Sequence, residues 1–273
     1  GSTFTNQGDF NINTTDINAE FRGTGGAFRN EGTLTKLAAS TVNTLIFSPV
    51  VFDNISGATI DVQSGAGILT LSNFATNNGT INVGSNAKID INSNITFGAS
   101  SIINIEVAGN TTAGTDYGLL DITGTATIDG TLTMTRVNGY VPTAAHTFDF
   151  LTYSNGSSGT FSTVNNMLGV TVTDLIYGAP TGADDITASI NTVSVNLNIW
   201  NGSTDTSWTD ASNWSSGVPG VSSLVIISNV ANAPTSSGAV TIADIGGEEL
   251  LTINGGTFTI NNASQYDDTF TQS

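Results

Sequence analysis

The side chains that could do chemistry are few and widely spaced. One histidine, His146, stands in Thr143-Ala-Ala-His-Thr-Phe148, beside an alternating run that reads as a strand. No serine elbow, phosphate loop or His-Glu-x-x-His motif accompanies it, so His146 reads as an exposed or edge residue. Paired carboxylates are the next option, because two acids at a suitable separation can hydrolyse a glycosidic bond. Asp61, Asp90, Asp121 and Asp129 fall on alternating runs and could converge on one face. An outward acid on a strand is, however, the ordinary surface arrangement. Arg22 and Arg29, the bases a polysaccharide lyase would want, sit at different phases of the repeat described below. Calcium is the metal for which oxygen ligands are plentiful. Asp184 and Asp185 are the paired acids expected to offer it a loop site, with Asp205, Asp210, Asp267 and Asp268 in other expected loops. None of these matches an EF-hand loop, and no resident cofactor is expected. Trp200, Trp208 and Trp214 are all the tryptophans in the chain. They have two readings: a surface that stacks on sugar rings, or a cap over the end of a core.

Composition says what must position these groups. The 273 residues carry 5 basic against 22 acidic side chains, a formal net charge of -17, yet only 10% are charged. That is too little charge and too much apolar content for an acidic disordered tail. The surface must be neutral and polar, and Thr, Ser and Asn supply it. Thr suits a half-buried pleat while Asn and Gly suit tight corners, so the chain reads as all-β. Nucleic-acid binding needs clustered Lys and Arg and is excluded by their scarcity. Membrane insertion is not expected, since the longest apolar runs fall well short of the roughly 20 residues that span a bilayer. Cysteine is absent, which removes disulfides, thiolate metal sites and cysteine catalysis. No basic region followed by an apolar run opens the sequence, so it reads as a mature or excised piece of a larger protein.

A repeat organises the first part of the chain. Phe4-Thr-Asn6-Gln-Gly8, Phe28-Arg-Asn30-Glu-Gly32, Phe52-Asp-Asn54-Ile-Ser-Gly57 and Phe74-Ala-Thr-Asn-Asn-Gly79 align, with phenylalanines 24, 24 and 22 residues apart. Phe97-Gly98 reads as a weaker fifth copy. A short alternating strand follows each glycine, as in Thr80-Ile-Asn-Val83. This spacing predicts a right-handed parallel β-helix, a β-solenoid of about 22–24 residues per turn with three short strands separated by corners. Phe is expected to stack inward on the Phe of the next turn and Asn to form a hydrogen-bonded ladder at a corner. Gly is expected to supply a positive φ there. Leucine-rich repeats have a similar period, but the return segments here, such as Ala87-Lys-Ile-Asp-Ile-Asn92, alternate like strands. Sequons at Asn54, Asn78, Asn94, Asn110 and Asn213 are expected by chance in so Asn- and Thr-rich a chain.

Two stretches carry a family resemblance. The segment from Leu119 to Phe161, containing ITGTATIDGTLTMT, VNGYVPTAAHTFDFLTY and GTF, resembles the end of bacterial β-helical passenger regions and related surface proteins. Trp200-Asn-Gly202, Ser207-Trp208, Asn213-Trp214 and Pro219 resemble the opening of units in large extracellular repeat proteins of Bacteroidota-type bacteria. The resemblance implies a parallel β-helix near its C-terminal end, exported to the bacterial cell surface. Since no acid, base or nucleophile stands out in the sequence, a structural or adhesive role is expected and not an enzyme. Surface glycans, other cell-surface proteins or end-to-end self-association are the partners expected. A polysaccharide-binding or -degrading β-helix and a self-assembling filament subunit are the alternatives. Three regions are expected: a parallel β-helix over 1–169, closing strands or a cap over 170–198, and a second β-rich unit over 199–273 that starts another β-helix.

Overall fold

The computed structural model describes all residues except 17–19, 22–24, 47–49, 139, 141, 166–169, 179–181, 195, 228–229, 248–250, 262–264, 267–269 and 273. Among the described residues the protein is all-β, with one short 3-10 turn at Ala211–Asn213 as its only helical element. The chain forms two compact units. One comprises Gly1–Thr135, Ala145–Asn165 and Val172–Ser189; the other comprises Arg136–Ala144, Asn166–Thr171 and Ile190–Ser273.

In the first unit the chain visits three sheets in rotation. The first sheet stacks Thr3–Asn6, Gly26–Asn30, Val50–Asn54, Phe74–Asn77, Ile95–Phe97, Ala126–Ile128 and Ser157–Gly159. The second stacks Asp9–Ile12, Thr33–Lys36, Thr59–Val62, Thr80–Val83, Ile102–Val107, Thr131–Arg136 and Thr163–Asn165. The third stacks Glu20–Phe21, Thr44–Ile46, Leu69–Leu71, Lys88–Ile91, Leu119–Ile122 and Thr147–Tyr153. Every recorded pairing among these strands is parallel. The third sheet then ends differently: Asp184–Val193 pairs antiparallel with Thr147–Tyr153, and Val170–Tyr177 lies beyond it.

Alternation explains the strands. In Thr59–Val62, Thr80–Val83, Lys88–Ile91 and Leu119–Ile122 the second and fourth residues are buried and the others half-buried. Parallel register stacks like on like. Leu34, Ile60, Ile81 and Ile103 form one inward column, and Leu69, Ile89, Leu120 and Leu151 another. Each of these side chains is fully buried, worth roughly 1.5–3 kcal/mol against exposure. Phe28, Phe52 and Phe74 form the third column, with centroids 5.3 and 5.1 Å apart.

The period departs from a uniform 22–24 residues. Corner asparagines bond across 24, 24 and 23 residues early in the stack. Later contacts between successive turns span 31 and 32 residues. The extra length is carried in two loops, 108–118 and 137–146, which follow strands of the second sheet. Phe97 is not a fifth phenylalanine of the column either. It pairs with Asn77, so it occupies the register of the corner asparagine.

The second unit opens with a step of 27 residues, from Leu197 to Leu224, and shortens after it. Leu197–Trp200, Leu224–Ile227, Asp244–Gly247 and Gln265–Tyr266 form one parallel sheet. Thr235–Ser236, Leu251–Ile253 and Phe270–Gln272 form a second, and Val240–Ile242 with Phe258–Ile260 a third. Leu224 pairs with Asp244, Val240 with Phe258 and Leu251 with Phe270, which is a compact advance of 18 to 20 residues.

Candidate functional site

The densest arrangement of buried polar chemistry in the first unit is a corner ladder. Asn6 Nδ2 donates to Asn30 Oδ1 at 2.8 Å, Asn30 Nδ2 to Asn54 Oδ1 at 2.9 Å, and Asn54 Nδ2 to Asn77 Oδ1 at 2.7 Å. Asn77 Nδ2 ends the run on Ser101 Oγ at 2.6 Å. The second Nδ2 proton of each amide goes to a backbone carbonyl: Thr33, Thr59, Thr80 and Gly79 respectively. All five side chains are buried. Polar groups in an apolar interior are tolerated only when so satisfied. The ladder also has a direction, since each Nδ2 faces the next turn and each interior Oδ1 faces the one before.

Asn77 joins the ladder although it lies three residues after Phe74 instead of two. The register shifts between Phe74 and Thr76, leaving Ala75 exposed as the extra residue. The glycines of the repeat need a different explanation from the one the sequence suggested. Only Gly57 has a positive φ, at 86°. Gly32 and Gly79 have ordinary backbone, but a methyl group on either would strike the preceding turn, at Gly8 O and Ala58 O respectively. Close approach between turns, and not conformational freedom, selects glycine there. Gly57 is not their equivalent: the hydrogen-bonded position in its turn is Ala58, whose carbonyl receives Thr80 N as Gly8 O receives Thr33 N.

Lys36 is a second polar feature of the interior. Its register partners are Ile12 and Val62, so an amine stands where neighbouring turns place an aliphatic group. It is fully buried, and Nζ donates to Val42 O at 2.7 Å, Thr44 Oγ1 at 2.9 Å and Ser40 Oγ at 3.1 Å. All three acceptors are neutral, and burial pushes the amine down to about 8. The alternation of Thr33-Leu-Thr-Lys36 places it on the same side as Leu34, which is the signal that could have revealed it.

The outward carboxylates partly converge. Asp90 and Asp121 are register partners on the third sheet. Lys88 Nζ lies between them, 2.8 Å from Asp90 and 2.7 Å from Asp121, and Thr152 Oγ1 donates to Asp121 at 2.8 Å. Burial alone would raise the Asp121 carboxyl, but the Lys88 and Thr152 hydrogen bonds outweigh it and hold the group below its usual range. A general acid needs the opposite shift. Asp61 lies on the second sheet and is raised, chiefly by burial, with an Asn82 hydrogen bond opposing and Glu106 adding to it. Asp129 stands at a corner, where its Oδ1 accepts Gly130 N. His146 is half-buried just before Thr147–Tyr153.

Asp184 and Asp185 do not lie in a loop. They begin the strand Asp184–Val193, opposite Tyr153 and Thr152. Asp185 Oδ1 accepts the Thr187 hydroxyl and Asp184 Oδ1 accepts Asp185 N. Asp205 and Asp210 are used locally: Asp205 accepts Ser207 N and Asn213 Nδ2, and Asp210 accepts Ser212 N and Oγ. No group of three or more His, Cys, Asp or Glu that could hold a metal is present among the described residues. Arg22, Asp267 and Asp268 lie outside the described residues.

The tryptophans form the core of the second unit. Trp200, Trp208 and Trp214 are 0, 1 and 4% exposed, and Trp214 packs edge-on against both others at 4.9 and 4.6 Å. Val225, Ile227, Ile242, Ile245 and Leu251 complete the cluster. So enclosed, the three rings present no exposed face for a sugar to stack on. Asn213 holds the loop that makes this possible. It accepts Thr204 N and Asp205 N, and it donates to Asp205 Oδ1 and Ser207 O. Asn213 and Asn54 are buried, so neither sequon can carry a glycan. No family model, curated protein or solved structure matches the chain.

Proposed function

We propose that the first unit is a right-handed parallel β-helix serving as a structural or adhesive stalk of a secreted bacterial cell-surface protein. The observation that carries this reading is the continuous Asn6–Asn30–Asn54–Asn77–Ser101 ladder beside the phenylalanine column. Its buried polar side chains are committed to holding one turn to the next, as a rod requires. Rotation of the chain through three parallel sheets supports the solenoid, and the strong preference of parallel crossovers for one hand supports right-handedness. The antiparallel strands at the far end of the third sheet support an end cap, which stacked repeats need for solubility. A surface of mostly uncharged Thr, Ser and Asn, with few charges and a net charge of -17, supports an extracellular setting.

The polysaccharide-processing alternative has one specific observation in its favour, the stacked Asp90 and Asp121. Against it, Lys88 pairs with both, and the Asp121 carboxyl is shifted down, the opposite of what a general acid needs. A glycan array combined with degradation assays on alginate, pectin and chitin separates the two. Retention on glycans or cell surfaces without turnover supports the stalk, and sustained turnover of any of these polymers overturns it.

A further inference from the structure

We draw no further inference here: the strongest candidate, the outward face of the second sheet, where Thr33, Thr59 and Thr80 share one register column and Asn82 and Asn104 the next, is a surface of small polar side chains, and nothing in the structure shows what covers it.

Discussion

Replacing Asn54 by alanine tests whether the ladder holds the first unit together. Asn54 is 1% exposed and takes part in three hydrogen bonds: from Asn30 Nδ2, to Asn77 Oδ1 and to Thr80 O. Truncation strands one donor and two acceptors where water does not reach. Each unsatisfied buried group costs about 1–3 kcal/mol, so with partial relaxation the loss is about 3–6 kcal/mol. That is a large share of the roughly 5–15 kcal/mol of a typical domain. Asn54→Leu restores most of the volume but no hydrogen bond, so it should be nearly as damaging as Asn54→Ala and thereby separate polarity from cavity. Asn6→Ala is the internal control. It strands Asn30 Oδ1, Thr33 O and, through a longer 3.3 Å contact, Gly8 N, but Gln7 and Gly8 beside it are exposed, so water compensates part of the loss and the cost should be about 1–2 kcal/mol. Stacked arrays need not unfold in one step, so opening energies from amide exchange at Ile60 and Ile81 are the appropriate measure, with urea melts as support. Equal costs at Asn6 and Asn54, a cost at Asn54 below about 1 kcal/mol, or rescue by leucine would refute the reasoning.

The remaining predictions concern the other interior groups. Lys36 is held near 8 in the fold against 10.5 when unfolded, so between those values the unfolded chain binds the extra proton and stability rises with pH. The wild type should gain up to about 2.5 kcal/mol relative to Lys36→Met between pH 7 and pH 10, read as the difference between their urea melts; a constant difference would exclude the buried amine as the cause. Gly32→Ala and Gly79→Ala should destabilise by about 1–3 kcal/mol through backbone overpacking, while Gly8→Ala stays within about 0.5 kcal/mol of wild type in thermal melts. Trp208→Ala should cost about 3–5 kcal/mol in the second unit, lowering the tryptophan-fluorescence transition and leaving exchange at Ile81 unchanged.

The repeat was legible because stacking places like on like. A column of phenylalanines in space becomes a fixed interval in the chain, and Phe4, Phe28, Phe52 and Phe74 display it directly. The same logic failed wherever one residue entered or left a corner. Ala75 displaces Asn77 by one position, two added residues put Ala58 and not Gly57 at the hydrogen-bonded corner, and Phe97 takes an asparagine's place. Sequence spacing records the count of residues between columns, whereas hydrogen bonding records which residue faces which. The acids at 184–185 were misplaced for another reason. Asp-Asp in a polar stretch favours a turn locally, but pairing opposite Thr152 and Tyr153 draws both into a strand. Trp200, Trp208 and Trp214 were visible as a cluster, yet their burial depends on the loop that Asn213 ties down, and nothing in the spacing distinguished Asn213 from a chance sequon.

The ladder also shows where this chain can vary. Two more residues separate Asn54 from Ala58 than Asn30 from Gly32, yet Asn54 still bonds Asn30 and Asn77 at 2.9 and 2.7 Å, so the corner lengthens beside the contact without breaking it. Successive ladder members stand 23 or 24 residues apart, and Ser101 closes the run with a side chain too short to continue. The first long loop, 108–118, follows in the next connection and is held by its own contacts, with Asp116 Oδ2 accepting Thr111 N and Thr112 N. Beyond Ser101 cohesion depends on the aliphatic columns, which fix strand register but set no limit on what leaves the stack between strands. A glycine inserted into the corner after Asn30 should therefore leave Asn30 bonded to Asn54, as the longer corner after Asn54 leaves its own contacts intact. It should cost little more than a glycine inserted at Thr112, where lengthening an existing surface loop adds only about 0.6 kcal/mol per doubling of its length. A markedly lower melting temperature for the Asn30 insertion alone would show that this corner, unlike the next, cannot lengthen.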